Sequence, residues 1–426
     1  MGIRSGGGVS VNRTISINRG LQTWAEKQLD PEALIILEKN SRLDSGSNSR
    51  VWESGLATIL NSPELQNKTL EQITDQGLTN IEPTDSDLVK AAKLLLKKFT
   101  TNPRLSQSIL LSTDFVGNSH NTMGDIHVNF RDANGEDLQI SEELKFGEND
   151  TLANLSTSIL TESGIFGDGT LASFNDFLKN TNHVNDVKDF FEKLYQVSPE
   201  FKQAFDEKFT GWDQIKKDST KDIHSLSTMA KHILFAGEKK SVNVEKYAKD
   251  MIESGSGTTD QLATAATILK ITELAAKNRT GYMDTLKTAT FDNNKAATFA
   301  ALLLTGELHK SDHLISEIKT KSVANILPKN YDYSFITNQN GKTNLKYSTN
   351  YRKALALINK PGTKVEAVFQ DDQQQFKFVA KGADGTVQNL FAVSVYWKNG
   401  FQGIATPAMN IFMEKSLRDY EILKED

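Results

Sequence analysis

Three residues about a third of the way along the chain have the types and spacing of a metal-dependent hydrolytic site. Asp125 stands at the start of the stretch DIHVNF, and Glu143 and Lys145 stand two apart in LQISEELKF. Because side chains two apart in a strand point to the same side, Glu143 and Lys145 share a face. The two carboxylates could bind a hard divalent cation, and the ammonium could stabilise negative charge on a phosphoryl oxygen. The same residues could equally form an ordinary solvated face of a sheet.

The loop between these two stretches decides whether the three side chains meet. A two-residue turn at Asn134-Gly135 would set Asp125 opposite Leu144, which places an acid on the apolar side of the hairpin. A three-residue loop over residues 133–135, with the glycine in the left-handed region, sets Asp125 opposite Glu143 instead. Only the second register keeps Asp125 off the apolar side, so we expect that one.

Directly opposed acids in such a hairpin repel each other, since their Cβ atoms lie about 5 Å apart. We therefore expect Asp125 and Glu143 to bind Mg²⁺, for which Mn²⁺ could substitute. Lys145 would then polarise a water or stabilise charge on a phosphoryl oxygen, and the reaction would be hydrolysis of a phosphodiester. Glu142 falls on the apolar side of its strand, which we interpret as a strand end or a bulge.

This arrangement resembles the core of the PD-(D/E)xK nuclease superfamily, which has the restriction-endonuclease-like fold. In that pattern an acid on one strand precedes an (E/D)-x-K strand and then a helix. Asp125 matches the first acid, Glu143 the second and Lys145 the lysine, while Gly124 stands where the pattern has proline. The resemblance covers residues 50 to 160, about a quarter of the chain.

The resemblance also extends to residues beyond the hairpin. Many members of the superfamily carry a further glutamate on an upstream helix, and Glu53 in VWESGLATIL matches that position. His127 shares the face of Asp125, and we expect Asn154 early in the helix that follows the lysine strand. Each of these two residues has a purely structural interpretation beside the functional one.

The resemblance implies a Mg²⁺-dependent DNA endonuclease of restriction or phage type that acts on double-stranded DNA. Because one site per chain cuts one strand, it also implies a possible homodimer. A non-catalytic DNA-binding or virion protein that retains a nuclease-like fold is the competing hypothesis. The mildly acidic net charge of −5, from 49 Lys and Arg against 54 Asp and Glu, is compatible with either.

The periodicity along the rest of the chain predicts an α+β fold. We expect a restriction-endonuclease-like mixed sheet flanked by helices, with a large all-helical insertion and a C-terminal antiparallel β meander. The predicted parts are a flexible arm and helix (1–45), the nuclease core (46–165), the helical insertion (166–330) and the C-terminal strands (331–426). Those last strands would complete the core sheet or form a small β-domain.

Composition excludes several classes of site and of protein. The chain has no cysteine, so disulfides, cysteine-bound zinc, iron–sulfur clusters and thiol nucleophiles are excluded. No apolar run approaches the roughly 20 residues of a membrane span, and we expect a cytoplasmic protein. The basic pairs Lys97-Lys98, Lys216-Lys217 and Lys239-Lys240 are candidates for contacts to DNA phosphates, although such pairs are commonly solvated helix faces.

Overall fold

The structure is a computed structural model. The described residues are 49–103, 105–116, 125–146, 151–167, 173–215, 220–238, 242–306, 311–326, 331–339, 342–348, 350–370, 374–397, 407–417 and 420–424. The predicted arm and helix at 1–45 lie outside them, as do Gly124, Lys216-Lys217 and Lys239-Lys240.

The predicted α+β class is confirmed, since strands and helices occur in long separate runs. The helices are α1 (Ser49–Leu60), α2 (Leu70–Asp75), α3 (Asp87–Thr100), α4 (Ser158–Glu162), α5 (Phe174–Asn180), α6 (His183–Val197), α7 (Pro199–Asp206), α8 (Thr220–Leu234), α9 (Val244–Ser254), α10 (Thr259–Thr288), α11 (Asn293–Leu304), α12 (Ser311–Thr320) and α13 (Asn350–Ile358). Within the described ranges, no helix combines the length and apolar character needed to cross a membrane.

The strands form two sheets. They are β1 (Ile109–Phe115), β2 (Ile126–Arg131), β3 (Asp137–Phe146), β4 (Thr151–Leu155), β5 (Tyr331–Gln339), β6 (Lys342–Ser348), β7 (Lys364–Phe369), β8 (Gln375–Lys381), β9 (Val387–Trp397), β10 (Pro407–Met413) and β11 (Tyr420–Lys424). The first sheet has the order β1-β2-β3-β5-β6-β11, and the second has the order β4-β10-β9-β8-β7.

The first sheet is mixed, because β3 and β5 run parallel while its other neighbours run antiparallel. Parallel neighbours need a crossover connection, and here that connection contains β4 and the helices α4 to α12. The predicted antiparallel meander is present as β7, β8, β9 and β10 in the second sheet. The other C-terminal strands, β5, β6 and β11, lie in the first sheet.

Helices α1 and α3 cover one face of the first sheet. Ser86 caps α3 by accepting a hydrogen bond from the Val89 N–H, and the buried side of the helix joins one apolar core with α1 and with β2 and β3. Within this core the rings of Phe99 and Phe130 meet edge to face at 5.4 Å between centroids. Burying a large apolar side chain stabilises by about 1.5–3 kcal/mol, so this core fixes the helices against the strands.

The close approach of α1 to α3 explains a glycine inside a helix. A Cβ on Gly55 of α1 would lie 2.8 Å from a methyl carbon of Leu88 on α3, which is too close for two carbon atoms. Glycine in a helix interior costs about 1 kcal/mol relative to alanine, and here it lets the two helices pack. Helix α1 also packs on β1, β2 and β3, and its Glu53 is buried.

The segment after β3 differs from the prediction. A helix was expected there, with Asn154 early in it, but residues 151–155 form β4 at the edge of the second sheet. Asn154 lies opposite Asn410 of β10, and its side-chain oxygen accepts a hydrogen bond of 2.5 Å from the Tyr396 hydroxyl. The helix prediction was therefore wrong, because pairing with β10 sets the conformation of this short segment.

The helical part of the chain has its own packing. One apolar cluster joins α6, α7, α8 and α10, and a second joins α8, α9 and α10. Helices α11 and α12 belong instead to the core of the second sheet, which also includes Tyr333 and Phe335 from β5 of the first sheet. Strand β5 is thus packed by α3 on one face and by the core of the second sheet on the other.

Candidate functional site

The β2–β3 hairpin has the predicted register. Phe130 lies opposite Leu138 and Val128 opposite Ile140. The loop spans three residues, because the Asp132 N–H donates to the Glu136 carbonyl at 2.9 Å. Its last residue, Gly135, has a φ of +86° and so occupies the left-handed region, as predicted. This part of the prediction is confirmed.

The same register brings Asp125, Glu143 and Lys145 together. The paired residues end at Ile126 opposite Glu142, and the N–H of the preceding Asp125 donates to the Glu142 carbonyl at 2.7 Å, so Asp125 lies close enough to Glu143 for their charges to interact. One carboxylate oxygen of Asp125, Oδ2, accepts a hydrogen bond of 2.7 Å from the Leu144 N–H. The Lys145 ammonium donates to Oε1 of Glu143, and the side chains of this pair are 22% and 10% exposed. The lysine is thus partly accessible while its acidic partner is largely enclosed.

The charges at this site shift one another's pKa. Burial raises the pKa of Asp125 well above its usual value, and the charges of Glu143 and Glu53 raise it further. The Lys145 ammonium and the Leu144 N–H act in the opposite direction. Burial alone would lower the pKa of Lys145, but the charges of Glu143 and Asp125 outweigh that effect and raise it. The lysine is therefore positively charged in a site with an excess of acidic groups.

Glu53 belongs to this electrostatic group. The residue lies on α1 with 6% of its surface exposed, and its charge raises the pKa of both Asp125 and Lys145. Glutamate side chains are usually exposed, whereas the structure buries this one. An acid buried next to another acid is unfavourable unless a cation lies nearby.

The donor atoms at this site fit a hard cation. Asp125 and Glu143 offer carboxylate oxygens, and Mg²⁺ is commonly held by one or two carboxylates together with water and substrate phosphates. No group of three or more histidine or acidic side chains is placed to hold a metal ion within the residues that the structure describes. The site therefore suits a cation that keeps most of its water ligands, as Mg²⁺ does, better than one that needs a full set of protein ligands.

Two neighbours of the site come from β5 and were not anticipated. Tyr333 lies beside Glu143 and Phe335 beside Lys145 in the parallel pairing of β3 with β5. The Lys145 Nζ is 5.9 Å from the centroid of the Tyr333 ring, within the range of a cation–π contact. No local sequence pattern could reveal these neighbours, because nearly the whole helical part of the chain separates β5 from β3.

His127 also lies on the site face of β2. It is opposite Ser141 of β3 and Asp114 of β1. Its Nε2 is buried and has no hydrogen-bond partner in the described part of the chain. The next residue on this face, Asn129, donates to Asp114 at 2.8 Å and accepts from Gln139 at 2.9 Å. A partly exposed polar surface therefore continues from the acidic pair along β2.

Glu142 has a different place from the one predicted. It is neither at a strand end nor in a bulge, but lies in the interior of β3 with no exposed surface. Its carboxylate accepts hydrogen bonds from the Lys98 ammonium at 2.6 Å and from the Ser334 hydroxyl at 2.9 Å. Burial raises the pKa of Glu142 to about 7, although Lys98 acts against this shift. Lys98 itself is 5% exposed, so it is not available for a phosphate contact.

A separate cleft of about 620 Å³ lies between α10 and the second sheet. Its lining includes Asp284, Lys287, Gln374 and Ser394. The two charged residues lie 3.4 Å apart on one helix and are both substantially exposed, so they form an ordinary surface ion pair. The cleft lining therefore shows no buried charged side chain that would mark a reactive site.

Comparisons with protein-family models, with curated proteins and with solved structures find no match to this chain. The functional interpretation therefore depends on the geometry of the site itself.

Proposed function

We propose that the protein is a Mg²⁺-dependent endonuclease that hydrolyses phosphodiester bonds in double-stranded DNA. The observation that carries the proposal is the grouping of Asp125, Glu143 and Lys145 at the end of the hairpin, where Lys145 pairs with Glu143 and the charges of both act on Asp125. The resemblance of these residues to the PD-(D/E)xK pattern supports the same reaction. Mn²⁺ would substitute for Mg²⁺, because both accept oxygen ligands.

Each side chain has a distinct task in this proposal. Asp125 and Glu143 would hold the cation, which when bound supplies positive charge next to the phosphate. The Leu144 N–H fixes the orientation of the Asp125 carboxylate through the bond at Oδ2. Lys145 keeps its charge and is 22% exposed, so its ammonium can approach a phosphoryl oxygen or a water. Glu53 adds negative charge that favours binding of a cation.

A cleavage assay with matched binding measurements tests this function. Purified protein is incubated with supercoiled plasmid in Mg²⁺, in Mn²⁺ and with a chelator, and Asp125→Asn and Glu143→Gln are assayed in parallel. We expect nicked and linear products that require the metal and that both variants lose. Calorimetry with Mn²⁺ should show binding that Asp125→Asn abolishes, because this change removes a charged oxygen ligand while keeping the shape of the side chain.

The same experiment distinguishes the competing class of function. A protein that binds duplex DNA, takes up no Mn²⁺ sensitive to Asp125→Asn and leaves the plasmid intact would be a non-catalytic DNA-binding or structural protein. Cleavage that persists in chelator would contradict the proposal directly. Sedimentation with and without DNA would show whether a homodimer forms, as cutting both strands with one site per chain suggests.

A further inference from the structure

The opposite face of β3 carries a buried network of charges directly behind the candidate site. The Lys98 ammonium on α3 contacts Glu142 of β3 at 2.6 Å, Asp332 of β5 at 3.1 Å and the Ser334 hydroxyl at 3.0 Å. Asp332 is in turn 2.8 Å from Nη2 of Arg352 on α13. The network therefore joins two helices and the two parallel strands, which come from distant parts of the chain.

Glu142 links this network to the site through its own backbone. Its carbonyl oxygen accepts a hydrogen bond of 2.7 Å from the Asp125 N–H, while its carboxylate is held by Lys98 and Ser334. The next residue is Glu143, and the one after it supplies the N–H that binds the Asp125 carboxylate. Any shift of Glu142 therefore moves the peptide groups that hold Asp125.

Of the two cations in this described network, Lys98 is the buried one. It is 5% exposed, Glu142 is fully buried, and the Arg352 side chain is half exposed at the rim. Removing the ammonium would leave a buried carboxylate without its charge partner, which is strongly unfavourable. The strand would then relax or the carboxylate would turn toward water, and either change alters the backbone next to the site.

We propose that Lys98 is a positioning residue of the metal site, which acts through Glu142 to hold Asp125 and Glu143 in place. The expected effect on metal binding rests on the function proposed above. The effect of Lys98 on the backbone around Asp125 can be measured without it. Residues that orient metal ligands without touching the metal commonly change metal affinity by about 10- to 100-fold.

A second buried ion pair, between Lys93 of α3 and Asp85 just before that helix, provides the control. Lys93 Nζ lies 2.7 Å from Asp85 Oδ2, and both side chains are fully buried. Neither residue contacts β3 in any hydrogen bond or ion pair of the described structure. Lys93→Met and Lys98→Met thus each remove one buried ammonium from α3, but only Lys98→Met disturbs the strand that carries the site.

The experiment combines hydrogen exchange with Mn²⁺ calorimetry on the full chain. We expect Lys98→Met to speed exchange of the Asp125 and Leu144 amides at least about tenfold and to weaken Mn²⁺ binding about tenfold. Lys93→Met should leave Mn²⁺ affinity within about twofold and should speed exchange of these two amides less than Lys98→Met does, because its partner Asp85 precedes α3 and does not lie on β3. Should Lys98→Met fail to fold, Glu142→Gln takes its place, because it keeps the side-chain shape and lets Lys98 keep its contact with Asp332.

The two readouts separate failure of this proposal from failure of the proposed function. Wild-type protein without Mn²⁺ binding sensitive to Asp125→Asn would contradict the function, and amide exchange would then decide alone whether Lys98 holds Asp125. A folded Lys98→Met with unchanged exchange at both amides would overturn the positioning role. Equal effects of Lys93→Met and Lys98→Met would overturn it too, since they would show a general loss of stability.

Discussion

Lys145 is the residue whose change tests the chemistry most directly. Its ammonium is paired with Glu143 and keeps its charge beside two further acids. If this charge stabilises the transition state more than the bound state, its loss lowers the rate and not the affinity for DNA. Lys145→Ala should then reduce cleavage by about 10²- to 10³-fold, as removal of one electrostatic stabiliser does, with DNA binding in Ca²⁺ nearly unchanged.

Lys377 on β8 gives a matched control for this change. It pairs with Glu414 at 3.1 Å, and the two side chains are 25% and 13% exposed, close to the values for Lys145 and Glu143. Lys377→Ala should therefore remove a similar ion pair from the second sheet without affecting cleavage. A Lys145→Ala protein that cuts plasmid at nearly the wild-type rate would identify the lysine as part of a solvated sheet face.

The acidity of Asp125 predicts how metal binding depends on pH. Because the pKa of Asp125 is raised, a proton competes with the cation, so affinity for Mn²⁺ should fall as the pH falls through that raised pKa. Glu53 is one of the charges that raise it. Glu53→Gln should therefore shift the decline in Mn²⁺ affinity to lower pH, as measured by calorimetry over a pH series.

Two results would contradict this expectation. An unchanged pH profile in Glu53→Gln would show that its charge does not act on Asp125. Loss of Mn²⁺ binding at every pH would instead identify Glu53 as a ligand of the metal. Asp114→Asn is a suitable control, because this exposed acid lies on the same face of the sheet beside His127.

At the scale of single residues, the sequence revealed only what local periodicity determines. Asp125, Glu143 and Lys145 could be assigned to one face because strand parity and the loop length fix their directions. Glu142 could not be explained, because its partner Lys98 belongs to a helix 44 positions earlier. Lys98 in turn looked like half of a solvated basic pair, and only the packing of α3 on the sheet shows it to be buried.

The hairpin loop is the element on which the site geometry depends most. A Cβ at Gly135 would have no atom within 4 Å, so a side chain there would not clash. Its cost would come from backbone strain alone, because the φ of this residue is +86°. A non-glycine residue in the left-handed region costs about 1–2 kcal/mol. Gly135→Ala should lower the free energy of unfolding by that amount in urea denaturation, and it should weaken Mn²⁺ binding by loosening the β2–β3 register.

Gly211 is the control for this element. A methyl group added at Gly211 would also meet no atom within 4 Å, but its φ of 161° is an extended conformation that any residue adopts. Gly211→Ala should therefore leave stability nearly unchanged. A Gly135→Ala protein as stable as the wild type would show that the loop can change its conformation without cost, and the register would then be set by side-chain packing alone.

Elements held by local signals were predictable and elements held by distant partners were not. The β2–β3 hairpin and the meander of β7 to β10 have alternating patterns and glycine turns, so their existence follows from the sequence. The segment TLANL of β4 has no clear alternation, and it is a strand because β10 pairs with it from the far end of the chain. Strand preference is decided by such pairing more than by composition.

At the scale of the whole molecule, the class of fold was predictable and the division of strands between sheets was not. Strands β5, β6 and β11 complete the first sheet, whereas β7 to β10 form the second with β4. The chain therefore passes between the sheets more than once after the helical part. Such long-range choices depend on which apolar faces fit together, as where Tyr333 and Phe335 enter the core of the second sheet.

The stability of the helical part should depend on one buried histidine. His183 at the start of α6 has no exposed surface, and its Nδ1 lies 2.6 Å from the Asn278 side-chain nitrogen on α10. Burial lowers its pKa from 6.5 to about 4, so the folded state holds it neutral. Because the unfolded chain takes up the proton first, stability is present above about pH 6.5 and is lost progressively as the pH falls toward 4.

The size of this loss follows from the shift, and His183→Gln tests it. This lowering of the His183 pKa corresponds to a loss of about 3 kcal/mol in the free energy of unfolding once the pH is below both the unfolded and the folded pKa. We expect the thermal midpoint of the wild type to fall steeply over this pH range, and the fall to be shallower in His183→Gln, which cannot take up the proton. His232→Gln, a change at an exposed histidine on α8, should keep the wild-type slope. If the thermal midpoint falls equally steeply with pH in all three proteins, groups other than His183 govern acid unfolding.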